Sequence, residues 1–181
     1  SSRIEPNESV DPEEEDEDAY NEQVGVPGGN SYADLVGTMG GTTALIHAVR
    51  EGHVETAKVL LDGGADVNQP SSGDRTTALL SATINGHFDL ALELLKLGAD
   101  PGLASTGGTT PLFAVVNTKW APKARYPQQE AHKQQQATHL EVMKALLESG
   151  ADPNARLTKH LWFMEYTFSH LGIDASGATP F

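Results

Sequence analysis

Apolar residues recur along the chain in short blocks, and the same polar and glycine positions recur with them. Each copy opens with Thr-(Ala/Pro)-Leu, at Thr43, Thr77 and Thr110, and these openings are 34 and 33 residues apart. Two apolar blocks follow, and each copy then closes on Gly-Ala-Asp, beginning at Gly64, Gly98 and Gly150. A period of about 33 residues with two apolar blocks per copy is typical of stacked helix pairs.

The spacing within the first copy predicts two short helices. Thr43 can cap an inner helix over residues 44–50, because its hydroxyl can accept a bond from a free backbone N–H. Gly52 permits the left-handed turn that reverses the chain. Apolar residues then share one face of an outer helix over residues 54–62: Val54, Ala57, Leu60 and Leu61. The same reasoning places helices over 78–85 and 88–97, and a third inner helix from Pro111 to about Asn117.

These recurring motifs resemble the ankyrin repeat family: Thr-(Ala/Pro)-Leu, Gly-His, Leu-Leu and Gly-Ala-Asp. The resemblance implies an all-α, ankyrin-like repeat solenoid of helix pairs with short finger turns, which binds protein. Breaks in the period add two insertions, and no cofactor is predicted. The family usually places His after the Leu of the opening motif. Ile46, Leu80 and Phe113 stand there instead, which predicts a more apolar layer between the inner helices.

The chain also resembles bacterial multi-repeat ankyrin proteins with aromatic-rich insertions. That likeness implies an exported or periplasmic location, with the cytoplasm as the alternative. The predicted segments of the chain are an acidic arm over 1–30, a capping segment over 31–39, and ankyrin-like repeats over 40–181. The repeats fall at about 41–74, 75–107 and 108–155, with an insertion over 118–139, a finger insertion over 156–176 and the start of a further repeat over 177–181.

Both insertions interrupt the period. Pro122 and Pro127 disfavour helix in the residues before them, so the first insertion is predicted to begin extended. Residues 128–136 are then predicted to be helical and to run straight into 140–147, which would give an outer helix about twice the usual length. The second insertion has apolar residues at the spacing of an amphipathic helix: Leu157, Leu161, Trp162, Phe168 and Leu171.

Charge is distributed unevenly. The net charge is −13, and residues 1–30 hold ten acidic residues against Arg3 alone. The remaining residues hold 11 basic and 15 acidic side chains, which is not the basic surface that nucleic acids require. No apolar run is long enough to span a membrane, and the absence of Cys excludes disulfides and thiolate metal sites. The chain has no initiator Met, so we expect it to be processed or to be part of a longer chain.

No catalytic motif is present, so the chain is interpreted as a binding protein rather than an enzyme. Histidines in the insertions, such as His132 and His139, would need a converging carboxylate to hold a metal, and no metal site is predicted. Repeat proteins bind partners through residues that do not repeat. The candidate partner-binding residues are Gln69, Asp74, Arg75, Trp120, Lys123, Arg125, Tyr126, Arg156, Lys159, Trp162 and Tyr166.

Two interpretations of the insertion aromatics stay open, since Trp120 and Trp162 could either contact a partner or pack the insertions onto the stack. Four basic residues, Lys123, Arg125, Arg156 and Lys159, are a hypothetical patch for the acidic arm or an acidic partner. The main functional prediction is a protein-binding scaffold. The alternatives are a structural subunit that self-associates through open repeat ends, because the chain stops at Phe181 just inside a repeat, and a small-ligand binder or enzyme that uses the insertions.

Overall fold

The structure, a computed structural model, describes residues 40–120, 133–158 and 176–181, and only the backbone of 119 and 120. Within these ranges the regular structure is helical. The six helices are α1 (Ala44–Arg50), α2 (Val54–Asp62), α3 (Ala78–Ile84), α4 (Phe88–Lys96), α5 (Pro111–Trp120) and α6 (His139–Glu148).

The helices form three successive pairs that stack on one another. Helix α1 packs against α2, α3 against α4, and α5 against α6. The inner helices α1, α3 and α5 pack in sequence as one layer, and α4 packs against α6 in the outer layer. The fold is therefore the all-α repeat solenoid that the period predicted. In the described part of the chain, no helix has the length and apolar character needed to cross a membrane.

The predicted caps set the start of each inner helix. Thr43 Oγ1 accepts a hydrogen bond from the Ile46 N–H at 3.2 Å, Thr77 Oγ1 accepts one from Leu80, and Thr110 Oγ1 one from Phe113. Each bond satisfies a backbone donor that has no partner within the helix. The predicted bounds of α1 and α2 are confirmed.

The apolar inner layer is confirmed as well. Ile46, Leu80 and Phe113 are all buried, where the resemblance would have placed histidines. In the first repeat a histidine comes one residue later, at His47, which lies on the exposed side of α1. Its Nε2 lies 2.6 Å from Thr42 Oγ1. Burial of these three large apolar side chains stabilises the inner layer.

Neighbouring repeats are also joined by two different polar contacts. His87 Nε2 lies 2.9 Å from the carbonyl oxygen of Arg50 at the end of α1, and the ring lies so close to Gly52 that an added Cβ would meet it at 2.6 Å. Between the next two repeats, Thr118 Oγ1 donates to the Thr83 carbonyl at 3.1 Å. The recurring Gly-His pair thus has a structural role at Gly86-His87.

Two predictions about the first insertion are wrong. Helix α5 does not end near Asn117 but continues to Trp120, so residues 118–120 are helical rather than extended. Helix α6 begins only at His139, and residues 135–138 are not helical. Thr138 stops the predicted continuation because it forms a capping box with Glu141: each side chain bonds the other residue's backbone N–H.

Other expectations fall outside the described residues. They concern the acidic arm over 1–30, the capping segment over 31–39, the middle of the first insertion and most of the second.

Candidate partner-binding surface

Three turns project from the stack between consecutive repeats, and we call them fingers. The first finger comprises residues 69–76, the second 103–109, and the third 155–158 with 176–178. A backbone bond joins the two sides of each: Ser71 N–H to Thr76 O at 2.8 Å, Ser105 N–H to Thr109 O at 3.0 Å, and Leu157 N–H to Ala178 O at 3.0 Å.

The base of each finger is an Asx turn. Asp66, Asp100 and Asp152 each accept, at 2.8 Å, a bond from the backbone N–H two residues later. Asn68 links the first base to the second, because its Nδ2 donates to Gly98 O and its Oδ1 accepts from the Asp100 N–H. The Gly-Ala-Asp motif therefore starts each finger, and Asn68 joins the bases of the first two.

Backbone hydrogen bonds also join the first finger to Gly40 and each finger to the next. Gly73 N–H donates to Gly40 O at 3.0 Å, Thr106 N–H donates to Asp74 O at 2.8 Å, and Thr158 N–H donates to Gly107 O at 2.9 Å. The fingers consequently form a continuous platform along one edge of the stack. The backbone positions from which the platform's side chains project are therefore held relative to one another.

Asp74, a predicted partner-binding residue, is used inside the first finger. Its Oδ1 accepts from Ser71 Oγ at 2.7 Å and from the Thr76 N–H at 3.1 Å. Its Oδ2 accepts from Thr76 Oγ1 at 2.7 Å. With both carboxylate oxygens bonded and the side chain half-buried, Asp74 shapes the finger from within.

Arg75 differs from every other described non-glycine residue in its backbone. Its φ of 64° makes it the one non-glycine residue at positive φ in the described ranges, and it is exposed. Gln69 is exposed too, with its Nε2 3.4 Å from the Pro70 carbonyl oxygen. These two side chains project from the same finger.

Arg156 is exposed on the third finger, and its Nη1 donates to the Gly177 carbonyl at 2.7 Å. It therefore joins the two parts of that finger, which are far apart in sequence. Of the hypothetical basic patch, Arg156 alone lies in the described ranges. Trp120 is described only as the last helical residue of α5. The other predicted partner-binding residues lie outside the described ranges: Lys123, Arg125, Tyr126, Lys159, Trp162 and Tyr166.

The end of the first insertion is fastened to the outer layer of the stack. Asp89, in the first turn of α4, accepts from the Gln136 N–H at 2.9 Å and from the Ala137 N–H at 2.8 Å. In return, Gln135 Oε1 accepts from the Asp89 N–H at 3.1 Å. These three bonds form a clasp, residues 135–137 on Asp89, that fixes where the insertion rejoins the outer layer.

Beside this clasp is a shallow groove of about 470 Å³, whose charged lining residues are Asp89, Glu93, Lys96 and Glu141. A hydrogen bond from Lys96 lowers the pKa of Glu93, and the Thr138 N–H lowers the pKa of Glu141. Both carboxylates are thus stabilised in their charged form. Within the described ranges, no group of three His, Asp or Glu side chains is arranged to hold a metal ion.

The model of a family described as ankyrin repeats (3 copies) matches residues 29–105. These residues are ankyrin repeats. Ankyrin repeats generally mediate protein–protein interaction, and proteins built from them are typically non-enzymatic binding scaffolds. A comparison with curated proteins found no match to this chain.

Sequence reasoning missed two features of this ankyrin stack. Leu140 and Leu147, seven residues apart on α6, are 63% and 40% exposed, although the copy before it buries Phe88 at the position of Leu140. Thr109 Oγ1 is buried in the second finger without a hydrogen-bond partner among the described residues. The signal for the second feature was present in the sequence, since the first finger has Asp74 next to Arg75 and the second finger has only Gly107-Gly108.

Proposed function

We propose that this ankyrin stack is a protein-binding scaffold whose contact surface comprises the exposed finger side chains, together with the insertion that follows α5. The observation that carries the proposal is the chain of backbone bonds between fingers, from Gly40–Gly73 through Asp74–Thr106 to Gly107–Thr158. A surface held in this way loses little conformational freedom when a partner binds, and this favours affinity.

The residues on that surface support the same proposal. Gln69 and Arg75 are exposed on a backbone that is bonded on both sides. Arginine is enriched among the residues that dominate binding energy at protein interfaces. Trp120 is the last helical residue of α5, and Tyr126, the other predicted aromatic contact of the first insertion, follows it in sequence.

Site-specific photo-crosslinking in the full chain tests this proposal. A photoreactive residue is placed at Gln69 on the first finger and, as a matched control, at Lys58, an exposed residue of the outer helix α2. We expect Gln69 to capture a protein partner that Lys58 does not capture. The partner, once purified, should lose at least about tenfold in affinity for a Q69A/R75A variant and less than about twofold for K58A. Capture from Lys58 alone, or equal affinity for both variants, would contradict the proposal.

A second function, self-association into a structural assembly, is favoured by the apolar surface near the last described repeat. Leu140 and Leu147 are 63% and 40% exposed on one face of α6. Apolar side chains of this kind contribute free energy when a second copy removes them from water. In this interpretation the partner is another copy of the same chain.

Light scattering of the full chain over a wide concentration range separates the two functions. Self-association would appear as a mass that rises with concentration, and L140K/L147K would return the mass to that of a monomer. K144Q, on the same helix, is the control and should have no effect. A constant monomer mass would exclude the structural assembly and leave the binding scaffold in place.

A further inference from the structure

Arg75 occupies a position at which the other repeats have glycine. Gly41, Gly108 and Gly177 stand at the equivalent place, one residue before the pair that opens each repeat, and their φ angles are 61°, 79° and 80°. Arg75 adopts the same left-handed conformation at 64°. This conformation is unfavourable for a residue with a Cβ, and arginine is not among the residues that tolerate it best. Glycine at this position would therefore make the fold more stable than arginine does.

Packing does not explain the arginine either. Its side chain is exposed, and among the described residues no group forms an ion pair or hydrogen bond with its guanidinium. The adjacent carboxylate of Asp74 is already bonded to Ser71 and Thr76. A strained residue whose guanidinium has no ion pair or hydrogen bond among the described residues indicates a role in binding rather than in folding.

The backbone around Arg75 is held on both sides. On one side, the Asp74 carbonyl accepts the Thr106 N–H at 2.8 Å. On the other, the Thr76 N–H is shared between Ser71 Oγ at 3.0 Å and Asp74 Oδ1 at 3.1 Å. The Cα of Arg75 is consequently fixed, and its guanidinium is presented from a preorganised site. The planar guanidinium matches a carboxylate, with two parallel N–H···O bonds.

We propose that Arg75 is the anchor with which the finger platform binds a carboxylate on an acidic segment of a partner protein. This rests on the proposed scaffold function and specifies the partner's chemistry. A nucleic acid backbone is disfavoured as the occupant, because residues 31–181 hold more acidic than basic side chains and phosphate binding needs several cations together.

The test is a titration of the isotopically labelled full chain with a decapeptide of alternating Glu and Gly, against its Gln-for-Glu version, followed by NMR. We expect a saturable shift of the Arg75 Nε–Hε signal and of the Asp74 and Thr106 amides, with the Glu peptide only. R75G should bind at least tenfold more weakly and melt at a higher temperature than the parent. R75K retains the positive charge but cannot form the two parallel N–H···O bonds of a guanidinium. It should bind more weakly than the parent but more tightly than R75G.

The control is K144Q, which removes one exposed charge from the outer helix and should change affinity less than twofold. Three results would overturn the inference: unchanged binding by R75G, an equal loss in K144Q, or no saturable shift at Arg75. A lower melting temperature for R75G would also overturn it, since Arg75 would then have a structural role. If R75G still binds a partner captured from Gln69, the scaffold function stands and only the anchor is wrong.

Discussion

The first and second fingers solve the same structural problem with different chemistry. Both close with a backbone bond between a serine and a threonine, but the first takes six residues from Ser71 to Thr76 and the second takes five from Ser105 to Thr109. In the first finger a carboxylate, Asp74, receives three hydrogen bonds. In the second finger Ser105 Oγ receives two longer ones, both at 3.3 Å, from the Gly107 and Thr109 N–H groups.

This difference explains how the first finger can hold a residue in a strained backbone conformation. Hydrogen bonds to a charged acceptor are stronger than those to a neutral hydroxyl, so the first finger can hold Arg75 in a conformation that the second assigns to Gly108. The second finger has no carboxylate at its tip, and its Thr109 hydroxyl is left without a partner among the described residues. The first finger is therefore suited to display a side chain and the second to pack against its neighbour.

The largest expected effect comes from giving the second finger a side chain where the first already has one. At Gly108 a Cβ would lie 2.6 Å from Arg156 O and 2.8 Å from Thr158 N of the third finger. G108A should lower the free energy of unfolding by roughly 2–4 kcal/mol, through strain at positive φ and this backbone overlap. Urea denaturation of the full chain measures the loss.

Gly177 is the matched control for that substitution. It has a similar φ of 80°, but no described atom lies within 4 Å of its added Cβ. G177A should therefore cost only the conformational strain, about 1–2 kcal/mol. Equal losses in the two variants would show that the second and third fingers are not packed as described.

Removal of the carboxylate should make the first finger less stable than the second. D74A leaves Ser71 Oγ and Thr76 Oγ1 without their acceptor and leaves the Thr76 N–H with Ser71 Oγ alone, and it should cost about 2–3 kcal/mol. D74N keeps the shape and one acceptor oxygen, so it should cost less. Amide hydrogen exchange at Thr76 and Thr106 would show whether the loss of stability is local to the first finger. Unchanged protection at both amides in D74A would contradict the assigned role.

R75G should act in the opposite direction. It replaces a strained arginine with the residue found at Gly41 and Gly108, and should raise the free energy of unfolding by about 1–2 kcal/mol. Thermal unfolding followed by circular dichroism is sufficient to detect the gain. R75A isolates the cause, because it removes the guanidinium but keeps the Cβ and should leave stability near that of the parent.

The smallest effects come from the two equivalent threonines, and they should have opposite signs. T76V removes the donor to Asp74 Oδ2 and should lower the free energy of unfolding by about 1 kcal/mol. T109V removes a buried hydroxyl that has no described partner, and should be neutral or stabilising by up to about 1 kcal/mol. The same denaturation experiment measures both, and a loss in T109V as large as that in T76V would show that the Thr109 hydroxyl has an acceptor.

Much of the fold could be predicted from sequence because its causes are local. Thr43, Gly52 and the apolar spacing from Val54 to Leu61 set the first two helices within a window of about 20 residues. The start of α6 could not be predicted in this way. Glutamine and lysine favour helix over residues 133–136, but the clasp on Asp89 holds residues 136–137 from a position 47 residues earlier in the chain.

The candidate site was only partly predictable for a similar reason. Position and polarity in the sequence singled out Gln69, Asp74 and Arg75. The internal bonds of Asp74 depend on how a six-residue turn folds back on itself, which composition does not reveal. An arginine at the place of Gly41 and Gly108 was visible in the aligned copies, but its φ became known only with the structure.

Because of the clasp on Asp89, the sequence of the first insertion can change during evolution without disturbing the repeats. Because Trp120 ends a packed helix and residues 135–137 are bonded to α4, both attachment points of the first insertion are set by the stack. The entropic penalty for closing a flexible loop grows slowly, by only about 0.6 kcal/mol for each doubling of its length. New sequence can therefore be exchanged between these attachment points at little thermodynamic risk to the repeats, which makes this connection a natural position for grafting a foreign peptide.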